Sequence, residues 1–224
     1  MLKARKKITK RQIKEDKLVT YYFKTIDFFN RNSKYVTIGL TAIVVVLILV
    51  TLFRRAKQRA ELEASAQLTK ALAEIGQNNL SQATDILVSL AEKYSGTSSA
   101  ESGVYLLAHT YYQKGDFEQA KVYFEKYIND YRKNPILSSA AYAGLGASLE
   151  QQKKYLEAAQ AYEKGATKFA SDSNAPQQLF NAARCYMLAN RNDKAKLCLE
   201  KIIENYSNSS LKNDAEFYLA KLTS

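Results

Sequence analysis

His109 is the only histidine in the 224-residue sequence, and that scarcity removes whole classes of chemistry. A His-based metal cluster cannot be assembled from it, and neither a Cys-x-x-Cys pair nor an acid-rich calcium loop supplies another metal site. A Ser-His-Asp arrangement would have to use His109, yet no Gly-x-Ser-x-Gly elbow presents a nucleophile. Gly-x-Gly-x-x-Gly and Gly-x-x-x-x-Gly-Lys loops are also missing, so no loop is built to cradle a phosphate. Acidic pairs such as Glu61 and Glu63 belong to charged helical surface. The expectation is therefore a protein that is not an enzyme, with no catalytic residue, cofactor, metal or small-molecule substrate. Proline is nearly absent from the stretches that read as helical, which leaves their backbone ladders uninterrupted.

What is present is an internal echo. Leu107, Ala108, Tyr111, Gly115-Asp116, Ala120 and Phe124 recur in spacing as Leu145, Gly146, Leu149, Ala158 and Tyr162, and again as Ala183, Tyr186, Asn192, Ala195 and Leu199. A small residue early in one helix lets it press on a second helix, whose own small residue returns the contact, while bulky residues fill around them. Units start at Ala64, Glu101, Ser139 and Pro176, with a last helix near Asn213, at offsets of 37, 38, 37 and 37 residues. Gly115 sits where a helix end needs a left-handed residue, and Asp116 follows as an N-cap. The first unit is degenerate, with Glu74 where a bulky residue is expected.

This spacing resembles the tetratricopeptide repeat, whose unit is about 34 residues, so each joint here carries three or four extra residues. The resemblance implies an all-α, right-handed helical solenoid in which each helical pair buries its second apolar face on a neighbour. The expected units are residues 64–100, 101–138, 139–175 and 176–212, closed by a capping helix at 213–222. Cys185 and Cys198 fall on partner helices too far apart along the axis for a bridge, so two free thiols are expected.

From Tyr35 to Phe53 the chain runs 19 residues without a charge, bounded by Lys34 and by Arg54-Arg55. As a helix it reaches about 28 Å, close to the roughly 30 Å hydrocarbon core of a bilayer. Thirteen of these residues are Leu, Ile, Val or Phe. At the scale of single apolar side chains their insertion gains about 4 to 8 kcal/mol at most. One transmembrane helix over 35–53 is expected, followed by a basic juxtamembrane linker or helix extension at 54–63. A cleaved signal peptide competes through Ala64-Ser65-Ala66, but basic residues from Arg54 to Arg59 intervene and the apolar run is long for one.

Charge sorts by position. Residues 1–34 hold 11 Lys or Arg against 3 Asp or Glu, whereas the repeats carry no positive excess, so nucleic acid is not an expected partner. Within this leader, Ile8, Ile13, Leu18, Val19, Tyr22, Phe23, Ile26 and Phe29 recur among basic residues, as in an amphipathic helix lying on a lipid surface. A topogenic leader that only stays cytoplasmic accounts for the same residues. The leader's total charge favours a cytoplasmic N-terminus and repeats on the periplasmic or extracytoplasmic side of the inner (plasma) membrane. Within twenty residues of the span the balance nearly vanishes, with Lys17, Lys24, Arg31 and Lys34 before it and Arg54, Arg55, Lys57, Arg59 and Lys70 after it.

A short amphipathic leader, one span and packing positions such as Ala108, Gly146, Ala158, Ala183 and Ala195 resemble the ancillary subunit of the bacterial Sec translocon. The 37-residue spacing is similar to that of the Tol-Pal cell-division coordinator and the outer-membrane assembly lipoprotein. The resemblance implies a membrane-tethered domain that contacts translocon subunits and periplasmic chaperones, with a cytoplasm-facing scaffold as the competing reading. It also implies a protein-binding groove lined by first helices. Its places fall on Ser102, Tyr105, His109, Tyr112 and Gln113; on Ala140, Ala143, Ala147, Glu150 and Gln151; and on Gln177, Phe180, Arg184, Met187 and Leu188. Tyr105, His109, Tyr112, Phe180, Arg184 and Met187 are the expected recognition residues, being of types enriched at interfaces. The Lys and Asn set that clamps a C-terminal carboxylate in related domains is replaced here by Tyr105, Ala143 and Phe180.

Overall fold

Helix is the regular structure of the computed structural model, which describes residues 17–131 and 133–223; Ile8 and Ile13 of the expected leader face lie outside them. The chain divides into two compact units, Met1–Ala56 and Lys57–Ser224. In the first, α1 (Lys17–Arg31) precedes the start of α2 (Ser33–Gly76). On α1 the three- and four-residue spacing of Val19, Tyr22, Ile26 and Phe29 gathers them on one face, with Lys24, Asp27 and Arg31 on the other. Asn32 links the two helices: its N–H and its side-chain amide both donate to the Phe28 carbonyl at 3.0 Å, while its own carbonyl accepts from Val36.

Helix α2 is the one helix among the described residues long and apolar enough to cross a membrane. Its large apolar side chains from Ile38 to Phe53 are exposed. The hydroxyls of Thr37, Thr41 and Thr51 donate back to carbonyls of Ser33, Thr37 and Ile48 at 2.8 Å. Each polar group in this stretch is thereby satisfied within its own helix, the condition for residence in hydrocarbon.

In the second unit the end of α2 is followed by α3 (Leu80–Lys93), α4 (Ser98–Gln113), α5 (Phe117–Asp130), α6 (Pro135–Gln151), α7 (Tyr155–Lys168), α8 (Ala175–Leu188), α9 (Asn192–Asn205) and α10 (Lys212–Thr223). Consecutive helices from α3 to α10 pack on one another, and α4 also reaches α6. The two prolines stand at the first and second residues of α6 and α8, where a missing N–H costs nothing.

Tight turns at residues 77–79, 114–116, 152–154 and 189–191 separate the members of each pair. All four are made the same way. Their middle residues Asn78, Gly115, Lys153 and Asn190 have φ of 62°, 79°, 60° and 57°. The following N–H, of Asn79, Asp116, Lys154 or Arg191, donates to the carbonyl five residues back at 2.8–3.0 Å. This closes the orphan carbonyls of one helix before the next begins.

Small residues set the packing distance. A Cβ added at Gly146 would stand 2.8 Å from the Tyr162 ring, and one at Gly144 would collide with the Phe124 ring. Helix α6 thus receives one aromatic from its own pair and one from the pair before. Leu107, Ala108, Ala120, Phe124, Gly146, Ala158, Tyr162, Ala183, Tyr186, Ala195 and Leu199 are buried, while Tyr111 and Leu145 are half-buried. Tyr111 stacks on Tyr123 with ring centroids 5.4 Å apart. Glu74, at the place that seemed to need bulk, instead accepts a hydrogen bond from the Asn79 side chain at 3.0 Å.

Candidate functional site

One concave feature of the repeat unit is a groove of about 380 Å³ formed by α4, α6 and the start of α8. Its floor follows from helical spacing on α6: Ala140, Ala143, Gly144 and Ala147 lie on one face, and their small side chains leave space above the helix. One wall carries Tyr105, His109 and Tyr112, spaced four and three residues apart on α4. The other carries the carboxamides Asn174, Gln177, Gln178 and Asn181. Phe124 and Tyr162 reach in from α5 and α7.

The aromatic wall is held by its own contacts. Tyr105 meets Phe124 and Tyr127 edge-on, at 6.0 and 5.9 Å, and Tyr112 meets Phe117 at 5.3 Å. Burial pushes the Tyr105 phenol above its ordinary value, so its hydroxyl stays neutral and able to donate. Opposite, the Gln178 amide donates to the Ser139 hydroxyl at 2.9 Å, tying α8 to α6. Among the described residues no Asp, Glu, Lys or Arg lines the groove. Such a surface can hold apolar or aromatic side chains between rings while carboxamides meet backbone N–H and C=O groups.

Among the described residues no group of three or more His, Cys, Asp or Glu is placed to hold a metal ion. Cys185 and Cys198 are free and buried. Burial raises both thiols to about 12, so they are inert.

Of the six residues expected to form one recognition surface, Tyr105, His109 and Tyr112 line this groove, and the other three do not. Phe180 turns edge-on to Tyr218 of α10 at 5.6 Å. Arg184 pairs with Glu150 at 2.7 Å. Met187 is half-buried against the C-terminal core. Ala140, Ala143, Ala147 and Gln177 also fall on the groove, as the place rule implied. Residues that the rule missed are Phe124 and Tyr162, which double as packing residues, together with Asn174, Gln178 and Asn181. The glycines facing Phe124 and Tyr162 were the available signal, since a small floor lets large buried rings pack up to the edge of the groove.

Comparison with known proteins bears on the fold. The tetratricopeptide repeat-like domain matches residues 27–164, a stretch that takes in the apolar part of α2 as well as the repeats, and a further tetratricopeptide repeat matches 179–209. Among solved structures, the chain is similar to nearly identical TPR-like repeats of a Podosopora anserina protein assigned as a kinesin light chain, and to a point variant of it. The TM-score is 0.55 for each, at 15% and 16% identity, covering 70% of this chain and 84% of theirs. At that identity the likeness concerns the fold alone. With more than half its length matched by the family and a left-handed turn repeating at the family's joint, the chain belongs to the tetratricopeptide repeat-like family.

Proposed function

We infer that the chain is a membrane-anchored protein-interaction module whose repeats, over residues 64–222, present the neutral aromatic groove to a peptide or helix of a client protein. The observation that carries this reading is the groove itself, with Tyr105, His109 and Tyr112 opposite four carboxamides over a floor of alanine and glycine. Residues 35–53 anchor it, and α1 lies against the adjacent lipid surface with Tyr22, Ile26 and Phe29 inward. The repeats work outside the cytoplasm, beside the Sec translocon and with periplasmic chaperones, on secreted or membrane proteins. The basic leader and the resemblance described above support this placement.

The deciding experiment places a photo-crosslinking amino acid at His109 in the groove or at Gln119 on the exposed side of α5. Adducts with translocon subunits, chaperones or exported chains from the first position and not from the second are expected. Equal adducts from both, or none from either, reject the groove. A second reading, a cytoplasm-facing scaffold, rests on Arg54, Arg55, Lys57 and Arg59 directly after the span. Protease added to intact spheroplasts separates the two: digestion of the repeats supports the outward orientation, and protection until lysis supports the scaffold.

A further inference from the structure

Away from the groove, α7 and α9 flank a separate cleft of about 500 Å³ on which Lys164, Lys168 and Lys194 converge. None of these lysines pairs with a carboxylate among the described residues. Each is held over aromatic rings instead. The ammonium groups of Lys164 and Lys168 both stand 5.7 Å from the centroid of Tyr142, with Lys168 also 5.5 Å from Phe169, and that of Lys194 stands 5.4 Å from Tyr186. The one carboxylate that lines the cleft, Glu163, accepts from the Tyr186 hydroxyl at 2.8 Å and from Lys201 at 2.9 Å, and Lys194 acts on it only through its charge, without a direct ion pair.

Two like charges one helical turn apart repel, and sharing one ring keeps them close. The arrangement is relieved when an anion enters between them. We propose that the cleft between α7 and α9 is a docking site for a short acidic segment of a partner protein, with two or three carboxylates meeting Lys164, Lys168 and Lys194. A long polyanion is the poorer fit. The positive patch is only three residues wide, with Asp193 next to Lys194 in sequence and Glu157 two helical turns before Lys164 on α7. The site shares no lining residue with the groove and does not depend on which side of the membrane the repeats occupy.

The test uses the full chain in phosphatidylcholine nanodiscs with hexaglutamate peptide as the probe, read by lysine acetylation and mass spectrometry. Site-by-site reading separates the cleft from the basic leader, which attracts the same peptide. Acetylation of Lys164, Lys168 and Lys194 is expected to slow as the peptide is added, while Lys114 and Lys153 keep their rates. In the Lys164→Gln, Lys168→Gln double variant, the peptide concentration that half-protects Lys194 rises about tenfold. The Lys194→Gln variant, read at Lys168, gives the same answer if the double variant loses helicity. Protection spread equally over Lys114 and Lys153, or a midpoint unmoved by the substitutions, overturns the proposal. So does a single-stranded oligonucleotide that protects the three lysines at lower concentration than hexaglutamate.

Discussion

Lys153 holds φ at 60°, in the region that costs an L-residue about 1–2 kcal/mol and costs glycine almost nothing. Asn78, Gly115 and Asn190 occupy the same place in the other three turns, and all are residue types that tolerate it. Lys153 is exposed and its side chain has no role in closing the turn. Lys153→Gly is therefore expected to stabilise the chain by about 0.5–1 kcal/mol, and Gly115→Ala to cost about 1 kcal/mol. Thermal melting of the detergent-purified chain by circular dichroism checks both, and a lower melting temperature for Lys153→Gly contradicts the argument. Gly146 makes the opposite demand, for space rather than dihedral freedom. Gly146→Val drives branched carbons into the Tyr162 ring and is expected to cost about 1–3 kcal/mol, read in the same melts. Gly115 followed by Asp116 was legible as a helix end from residue type. Lys153 was not, because the fixed length of the turn imposes its conformation against its own preference.

Among the elements, α4 owes its start to a residue 37 positions away in sequence. Thr97 accepts from the Ala100 N–H, as a local cap does. Glu61, on α2, then accepts from the N–H groups of Ser98 and Ser99 at 2.7 and 3.0 Å and from the Ser99 hydroxyl at 2.7 Å. A carboxylate at a helix N-terminus meets both free donors and the positive end of the dipole. The Ser99 hydroxyl, chiefly, and the two amides hold the Glu61 carboxyl below its usual value of 4.5. A depressed carboxyl stabilises the fold at pH values above 4.5, and this contribution fades as pH falls through the lower folded value. Amide exchange at Ser98 and Ser99, corrected for intrinsic rates, is expected to quicken as pH drops below that point. In Glu61→Gln it is expected to be fast at every pH, and an unchanged profile in the variant removes the cap. The sequence placed Glu61 only in charged helical surface, since nothing local to either segment shows that α2 and the start of α4 meet. Helix positions, by contrast, were legible, because small and bulky residues recur at a period that a pair of stacked helices imposes.

For the whole repeat unit, stability is carried by neighbouring pairs rather than by one central core. Three buried clusters follow one another along the chain: around Leu87 and Leu90, then Phe124 and Tyr127, then Tyr162 through Ile202 to Ala215. Helix α10 covers the last, with Ala215 fully buried and Tyr218 edge-on to Phe180. A chain ending at residue 211 is expected to show faster amide exchange in α8 and α9 while α3 and α4 are unaffected. Uniform acceleration across all helices would mean that the repeats melt as a single block. Phe180 illustrates what the sequence withheld at this scale. Its place in the repeat pointed to the groove, but the adjoining final helix offers it a ring to pack on. The long apolar helix was legible from 19 uncharged residues, whereas the side on which the repeats stand was not, because positive charge stands on both flanks.

If the groove is the interaction site proposed above, the absence of formal charge from its lining among the described residues governs the tempo of binding. With no charged side chain in the lining to steer an incoming segment, encounter falls toward the unassisted range of about 10⁵–10⁶ M⁻¹s⁻¹ and responds only weakly to ionic strength. Differences between one client and another then lie in how long each stays, set by the fit of its side chains against Tyr105, His109 and Tyr112 rather than by how fast it arrives.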